Sequence, residues 1–189
     1  MLPRALFAVT AALAIASPFA HAEKAHVHGV AELNVSVERD TLQIALESPL
    51  DSLLGFERGP QGKQELDRVR RMANRLREGD KLFVPTPSAG CRLTKVTLVS
   101  AVIDPVLLGE APVAMPAAKA ARGDDQAGAG HADLDAEFIF HCAQPAALQG
   151  LEVKLFGAFP GYRQIRAQVV TGKRQSAARL SPKASTLRW

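Results

Sequence analysis

The stretch Val27–Ser48, VHGVAELNVSVERDTLQIALES, decides the fold. Val27, Gly29, Ala31, Leu33, Val35 and Val37 alternate with His28, Glu32, Asn34, Ser36 and Glu38. A period of two over this length is a strand with one buried face. Arg39-Asp40 supplies a turn, and Leu42, Ile44 and Leu46 resume the alternation, so the stretch predicts a β-hairpin.

The same signal recurs downstream in HADLDAEFIFHC (His131–Cys142). Leu134, Ala136, Phe138, Phe140 and Cys142 share one face, and His131, Asp133, Asp135, Glu137, Ile139 and His141 share the other. Shorter strands are expected at Lys81–Val84, Arg92–Val102, Glu152–Phe156, Ile165–Thr171, Ala177–Leu180 and Thr186–Trp189, with a turn at Phe159–Tyr162. Pro49–Pro60 reads as a loop or a single helical turn. The main helix is expected over Gly62–Glu78, where Leu66, Val69, Met72, Ala73 and Leu76 recur at spacings of three and four and Gly79-Asp80 stops it. Asp104–Gly130 is rich in Ala, Gly and Pro and buries little apolar area, which predicts a flexible loop. The expected fold is therefore α+β, a mostly antiparallel sheet carrying one main amphipathic helix.

Composition excludes several classes. The chain has 189 residues, 22% of them charged, and a formal net charge of +4. That balance is too small and too scattered for nucleic-acid binding. No apolar stretch reaches the roughly 18 residues of a spanning helix, and P-loop, dinucleotide-binding and HExxH motifs are absent. The first 22 residues read as an export signal: Arg4, an apolar core from Ala5 to Ala16, a break at Ser17-Pro18 and a small-x-small cleavage site at Ala20-His21-Ala22. Residues 23–189 then form a single domain in an oxidising compartment, the periplasm. There the only two cysteines, Cys91 and Cys142, are expected to form one structural disulfide. Closing that loop contributes roughly 4 kcal/mol by the chain-entropy relation.

Chemistry concentrates in the histidines. His26-Val27-His28 places two imidazoles at i and i+2, which on a strand point the same way about 6–7 Å apart. His131 and Asp133 repeat that spacing, and if the two strands are neighbours the four side chains form one zinc site. Neutral imidazole is the binding form, so zinc affinity should fall below about pH 6.5. Cu(II) fits less well: cleavage after Ala22 puts His26 fourth rather than third, and no Met-rich motif is present. His141 stands too far along its strand to join His131 and reads as a surface residue. No nucleophile–base arrangement stands out, and no enzymatic activity is expected.

HVHGVAELNVSVERDTLQIALESPLDSLLGFE (His26–Glu57), HADLDAEFIFHC and LEVKLFGAFPGYRQIRAQVVTGKRQSAARL (Leu151–Leu180) together resemble the ZrgA-like periplasmic zinc-binding proteins. The resemblance covers nearly all of the chain after the leader. It implies a non-catalytic protein accessory to zinc acquisition, which holds Zn(II) or passes it to an uptake system, the partner being a zinc ABC-transporter solute-binding protein. His26, His28 and His131 match the family's recurrent histidines, and Cys91 and Cys142 match its cysteine pair. The family's middle segment, often rich in His, Asp and Glu, corresponds here to Asp104–Gly130, which has no histidine. One folded site or none is the expectation, not storage of several ions. The competing reading is a metal-independent periplasmic adaptor that docks a partner through a sheet edge or the helix.

Overall fold

The computed structural model describes residues 27–112, 132–172 and 174–189. The expected leader at 1–22, His26, His131 and most of the expected 104–130 loop lie outside the described residues.

The opening hairpin is present as β1 (Val30–Glu38) and β2 (Thr41–Pro49), paired so that Leu33 meets Leu46 and Val35 meets Ile44. Three more long strands and one short one extend it: β4 (Cys91–Val99), β5 (Asp133–Cys142), β7 (Gln164–Thr171) and β8 (Gln175–Leu180). Their order across the sheet is β4-β5-β2-β1-β7-β8, antiparallel except at the parallel pair β1–β7. A smaller sheet consists of β3 (Phe83–Pro85), β6 (Gly150–Val153) and β9 (Thr186–Arg188), in the order β3-β6-β9.

One face of the large sheet is apolar and sealed. Leu33, Leu42, Ile44, Leu46, Phe138 and Phe140 are at most 1% exposed. They share one core with Val69, Met72, Ala73 and Leu76, the inner stripe of helix α2 (Gly62–Arg77), and with Phe83, Leu151, Val153 and Leu187 of the small sheet. Phe83 and Phe138 join the two sheets with ring centroids 4.8 Å apart. Truncating Phe138 to Ala would cost about 3–5 kcal/mol.

Cys91 and Cys142 stand opposite each other on β4 and β5 and form the expected disulfide. Arg77 closes the C-terminal end of α2: its Nε donates to the Leu108 carbonyl at 2.8 Å and its Nη2 to Glu110 at 2.7 Å. Leu108 ends the short helix Pro105–Leu108, a turn of structure within the segment expected to be a loop.

The element boundaries depart from expectation in several places, among them the expected strand Lys81–Val84, which is helical through Leu82 and extended only from Phe83. The first strand begins at Val30, because Val27–Gly29 is a turn closed by Val30 N–H on the Val27 carbonyl at 2.9 Å. The helical stop at Gly79 is followed by one more helical turn, Gly79–Leu82, where a Cβ on residue 79 would lie 2.5 Å from the Phe138 ring. The expected strand Arg92–Val102 ends at Val99. The expected strand Glu152–Phe156 ends at Val153 and turns helical over Leu155–Ala158, since a short apolar run does not by itself choose between strand and helix.

Candidate metal site at one end of the sheet

The start of β1, the end of β2 and the start of β5 fall at one end of the large sheet, since Glu32 pairs with Glu47 and Pro49 with Asp133. The chain leaves β2 directly into the short helix α1 (Leu50–Leu54), which carries Asp51 over that end, and Glu57 follows after the left-handed Gly55.

His28 occupies the turn before β1 rather than a strand. Its Nε2 lies 3.0 Å from Glu57 Oε1 and its Nδ1 3.7 Å from Asp51 Oδ2, so both ring nitrogens face carboxylates. The imidazole is 53% exposed, open to an ion arriving from solvent, while the Glu57 side chain is 21% exposed.

The backbone of the turn is tied to segments distant in the chain. Gly29 adopts φ +78°, and a Cβ there would lie 2.6 Å from Arg163 Nε, so only glycine fits without displacement. Gly29 N–H donates to Ser52 Oγ at 3.1 Å, and its carbonyl accepts from the N–H groups of Arg163 and Gln164 at 2.8 and 3.0 Å. The Arg163 guanidinium donates to the His28 carbonyl. Gly161 packs on α1 so closely that a Cβ would sit 2.3 Å from the Ser52 carbonyl oxygen. Beneath, the buried Tyr162 hydroxyl donates to Ser48 Oγ at 2.7 Å, and Ser48 in turn donates to the Pro49 carbonyl at 3.1 Å. Burial pushes the Tyr162 phenol well up, with the Ser48 contact acting weakly the other way, so it stays a neutral donor.

The Glu57 segment is tied to α2. Arg68 Nη1 donates to the Leu54 carbonyl at 2.9 Å, and Arg58 forms a fork on Glu65 at 2.7 and 2.9 Å. Glu65 also accepts the Gln61 N–H at 2.6 Å. The Arg58 hydrogen bonds, then the Gln61 N–H, bring the Glu65 carboxyl down to about 2.

Of the four expected ligands, His28 and Asp133 are described and fall at the same end of the sheet. His28 stands in the turn before β1 rather than on the expected strand, and His26 lies outside the described residues. β2 lies between β1 and β5, so the strand that follows His28 and the strand that begins at Asp133 are not neighbours, their backbones being about 10 Å apart. Among the described residues, no three His, Cys, Asp or Glu side chains converge in metal-binding geometry. Asp51 and Glu57 are the residues that sequence reasoning missed. Their signal was PLDSLLGFE immediately after a strand ending, a helical turn whose acidic groups return over the sheet end. His141, at the opposite end, is exposed and pairs with Asp40 at 2.9 Å.

A separate shallow cavity of about 550 Å³ lies on the small sheet, lined by Val84, Thr86, Gln149, Glu152, Arg188 and Trp189 among others, with no histidine in its wall. Among the described residues, no helix is long and apolar enough to cross a membrane.

No curated protein matches the chain. Residues 25–189 match the model of the ZrgA family, described as zinc uptake proteins. That span takes in the hairpin, the His28 turn, α1 and the Phe159–Arg163 segment that clamps them, and on it the chain belongs to the ZrgA family of zinc uptake proteins.

Proposed function

We propose that this chain binds Zn(II) in the periplasm through a site at the His28 end of the sheet and passes it to an uptake system of the ABC-transporter type. The observation that carries the reading is the His28 imidazole, fixed in a clamped turn with carboxylates facing both ring nitrogens. A zinc-binding imidazole uses one nitrogen on the metal and offers the other N–H to a carboxylate, which fixes its tautomer and orientation. Glu57 is placed for that orienting role. Asp51 and Asp133 supply oxygen donors of the kind zinc accepts beside imidazole.

His26 and His131 are the further proposed ligands. His26 is two residues from His28 in the chain. His131 adjoins Ala132, whose carbonyl accepts the Leu50 N–H at 2.9 Å at the start of α1. Zinc is cargo here rather than a resident cofactor, so a half-exposed site of mixed nitrogen and oxygen donors suits capture and release better than a closed four-cysteine cage. The periplasmic placement rests on the leader-like residues 1–22, and N-terminal sequencing of the exported protein should begin at Glu23.

Native mass spectrometry with added Zn(II) tests the site. One zinc per chain is expected, with affinity weakened at least about tenfold in His28→Ala and in the His26/His28 double variant. Zinc binding unchanged in both variants overturns the ligand assignment. No zinc at micromolar concentration in the parent protein overturns the function and leaves the metal-independent adaptor.

A further inference from the structure

The second face of the large sheet carries its charge in an ordered way. Strand register places Asp135, Glu47, Glu32, Arg166 and Arg179 in one row across β5, β2, β1, β7 and β8. Acid therefore occupies one side of the row and base the other. Glu32 and Arg166 meet at the boundary, 3.1 Å apart. Directly opposed like charges, such as Glu32 with Glu47 or Arg166 with Arg179, disfavour an isolated sheet. One row further along stand Ala45, Asn34, Gln168 and Ala177, and in the next Gln43, Ser36, Val170 and Gln175. Every one of these side chains is exposed or half-buried. Among them, a shallow depression of about 180 Å³ lies between Asn34, Ser36, Gln43, Ala45, Gln168 and Val170.

We infer that this face binds a second copy of the chain. The argument is the self-complementarity of the pattern. A two-fold axis parallel to the strands and passing between β1 and β7 lays β1 on the partner's β7 and β2 on its β8. Such an axis keeps each row on its own row. Glu32 then faces Arg166 and Glu47 faces Arg179, each twice by symmetry. In the next row Ala45 faces Ala177, small on small, and Asn34 faces Gln168, amide on amide. In the third, Gln43 faces Gln175. Isologous contacts of this kind require one patch to complement itself, and aligned sheet packing near −30° keeps the centres of the rows opposed. Four overlapping strands at about 4.8 Å spacing give roughly 400–500 Å² per copy, the small end of specific interfaces. The dimer is accordingly weak and driven largely by charge, so salt dissociates it.

Sedimentation velocity of the purified protein at tens of micromolar tests this, at about 50 mM and about 500 mM salt, where screening lengths differ severalfold. A concentration-dependent dimer at low salt that returns to monomer at high salt is expected. The double variants Glu32→Arg/Glu47→Arg and Arg166→Glu/Arg179→Glu, with circular dichroism confirming their fold, should each be monomeric, and an equimolar mixture should form the heterodimer. A parent protein monomeric at low salt, a dimer that survives in both double variants, or no recovery on mixing overturns the inference.

Discussion

The two ends of the large sheet each present a histidine beside carboxylate, and what surrounds each pair separates the proposed site from a surface pair. At the hairpin-turn end, His141 lies 2.9 Å from Asp40, and both side chains are more than half exposed. Partial burial works to raise the Asp40 carboxyl, but its own backbone N–H, the His141 charge and the Thr41 hydroxyl hold it below the usual range. Its backbone is rigid: the Asp40 carbonyl accepts the Cys142 N–H at 2.7 Å, next to the disulfide. At the far end, His28 has carboxylates at both nitrogens and sits in a turn held by hydrogen bonds to Ser52 and from Arg163 and Gln164. One end uses covalent bonding to fix backbone under an exposed pair. The other ties the turn backbone by hydrogen bonds and sets a single imidazole between two carboxylates. The second arrangement is the one the proposed zinc site draws on, because carboxylates at both ring nitrogens set the direction of the side chain.

The largest effect expected from testing that contrast is on stability. Reducing the disulfide, or replacing both cysteines by Ala, should cost about 4 kcal/mol in denaturant unfolding. Zinc affinity of the surviving folded protein should stay within about twofold, since the bridge lies at the opposite end; a large loss of affinity would merge the two ends into one functional unit. Next in size is the pair of histidine variants. His28→Ala should lower zinc affinity at least about tenfold while His141→Ala leaves it unchanged, and titration calorimetry reading the same loss for both would erase the distinction.

Tyr162→Phe sharpens the comparison further. It removes the buried hydrogen bond to Ser48 beneath α1 and should cost about 1 kcal/mol. Hydrogen exchange should report faster opening of residues 28–30 and 50–54, with the Cys91–Cys142 end unaffected. The smallest effect concerns the Arg58–Glu65 fork that holds the Glu57 segment. Glu65 has its folded value depressed from 4.5 to about 2. The stability it contributes is therefore complete above about 4.5 and is lost as pH falls toward 2. Glu65→Gln should flatten that part of the acid-unfolding curve and change zinc affinity at pH 7 by less than about threefold.

Much of the fold was legible because strand periodicity depends on neighbours along the chain. The alternation from Ala31 to Leu46 and from Leu134 to Cys142 marks the core residues directly, and all of the named apolar positions on those inner faces except Val37 are buried. The stripe Val69, Met72, Ala73 and Leu76 likewise identified the buried side of the main helix. The boundaries were less legible at Val27–Gly29 and Leu155–Ala158, where apolar spacing fits two conformations and tertiary contacts choose. Gly29 is turned by Arg163, more than a hundred residues away in sequence, and no local pattern encodes that.

The sequence by itself determined the α+β class, the hairpin, the main helix, the cysteine pair and His28 as a residue of interest. These follow from period, composition and residue chemistry, all local quantities. Only the tertiary structure decided that β2 separates β1 from β5, that Asp51 and Glu57 are the carboxylates beside His28, and that acid and base segregate along the Asp135–Arg179 row of the open face. Strand order and register are set by packing among segments distant in the chain, so which side chains become neighbours is a property of the assembled sheet and not of any one segment.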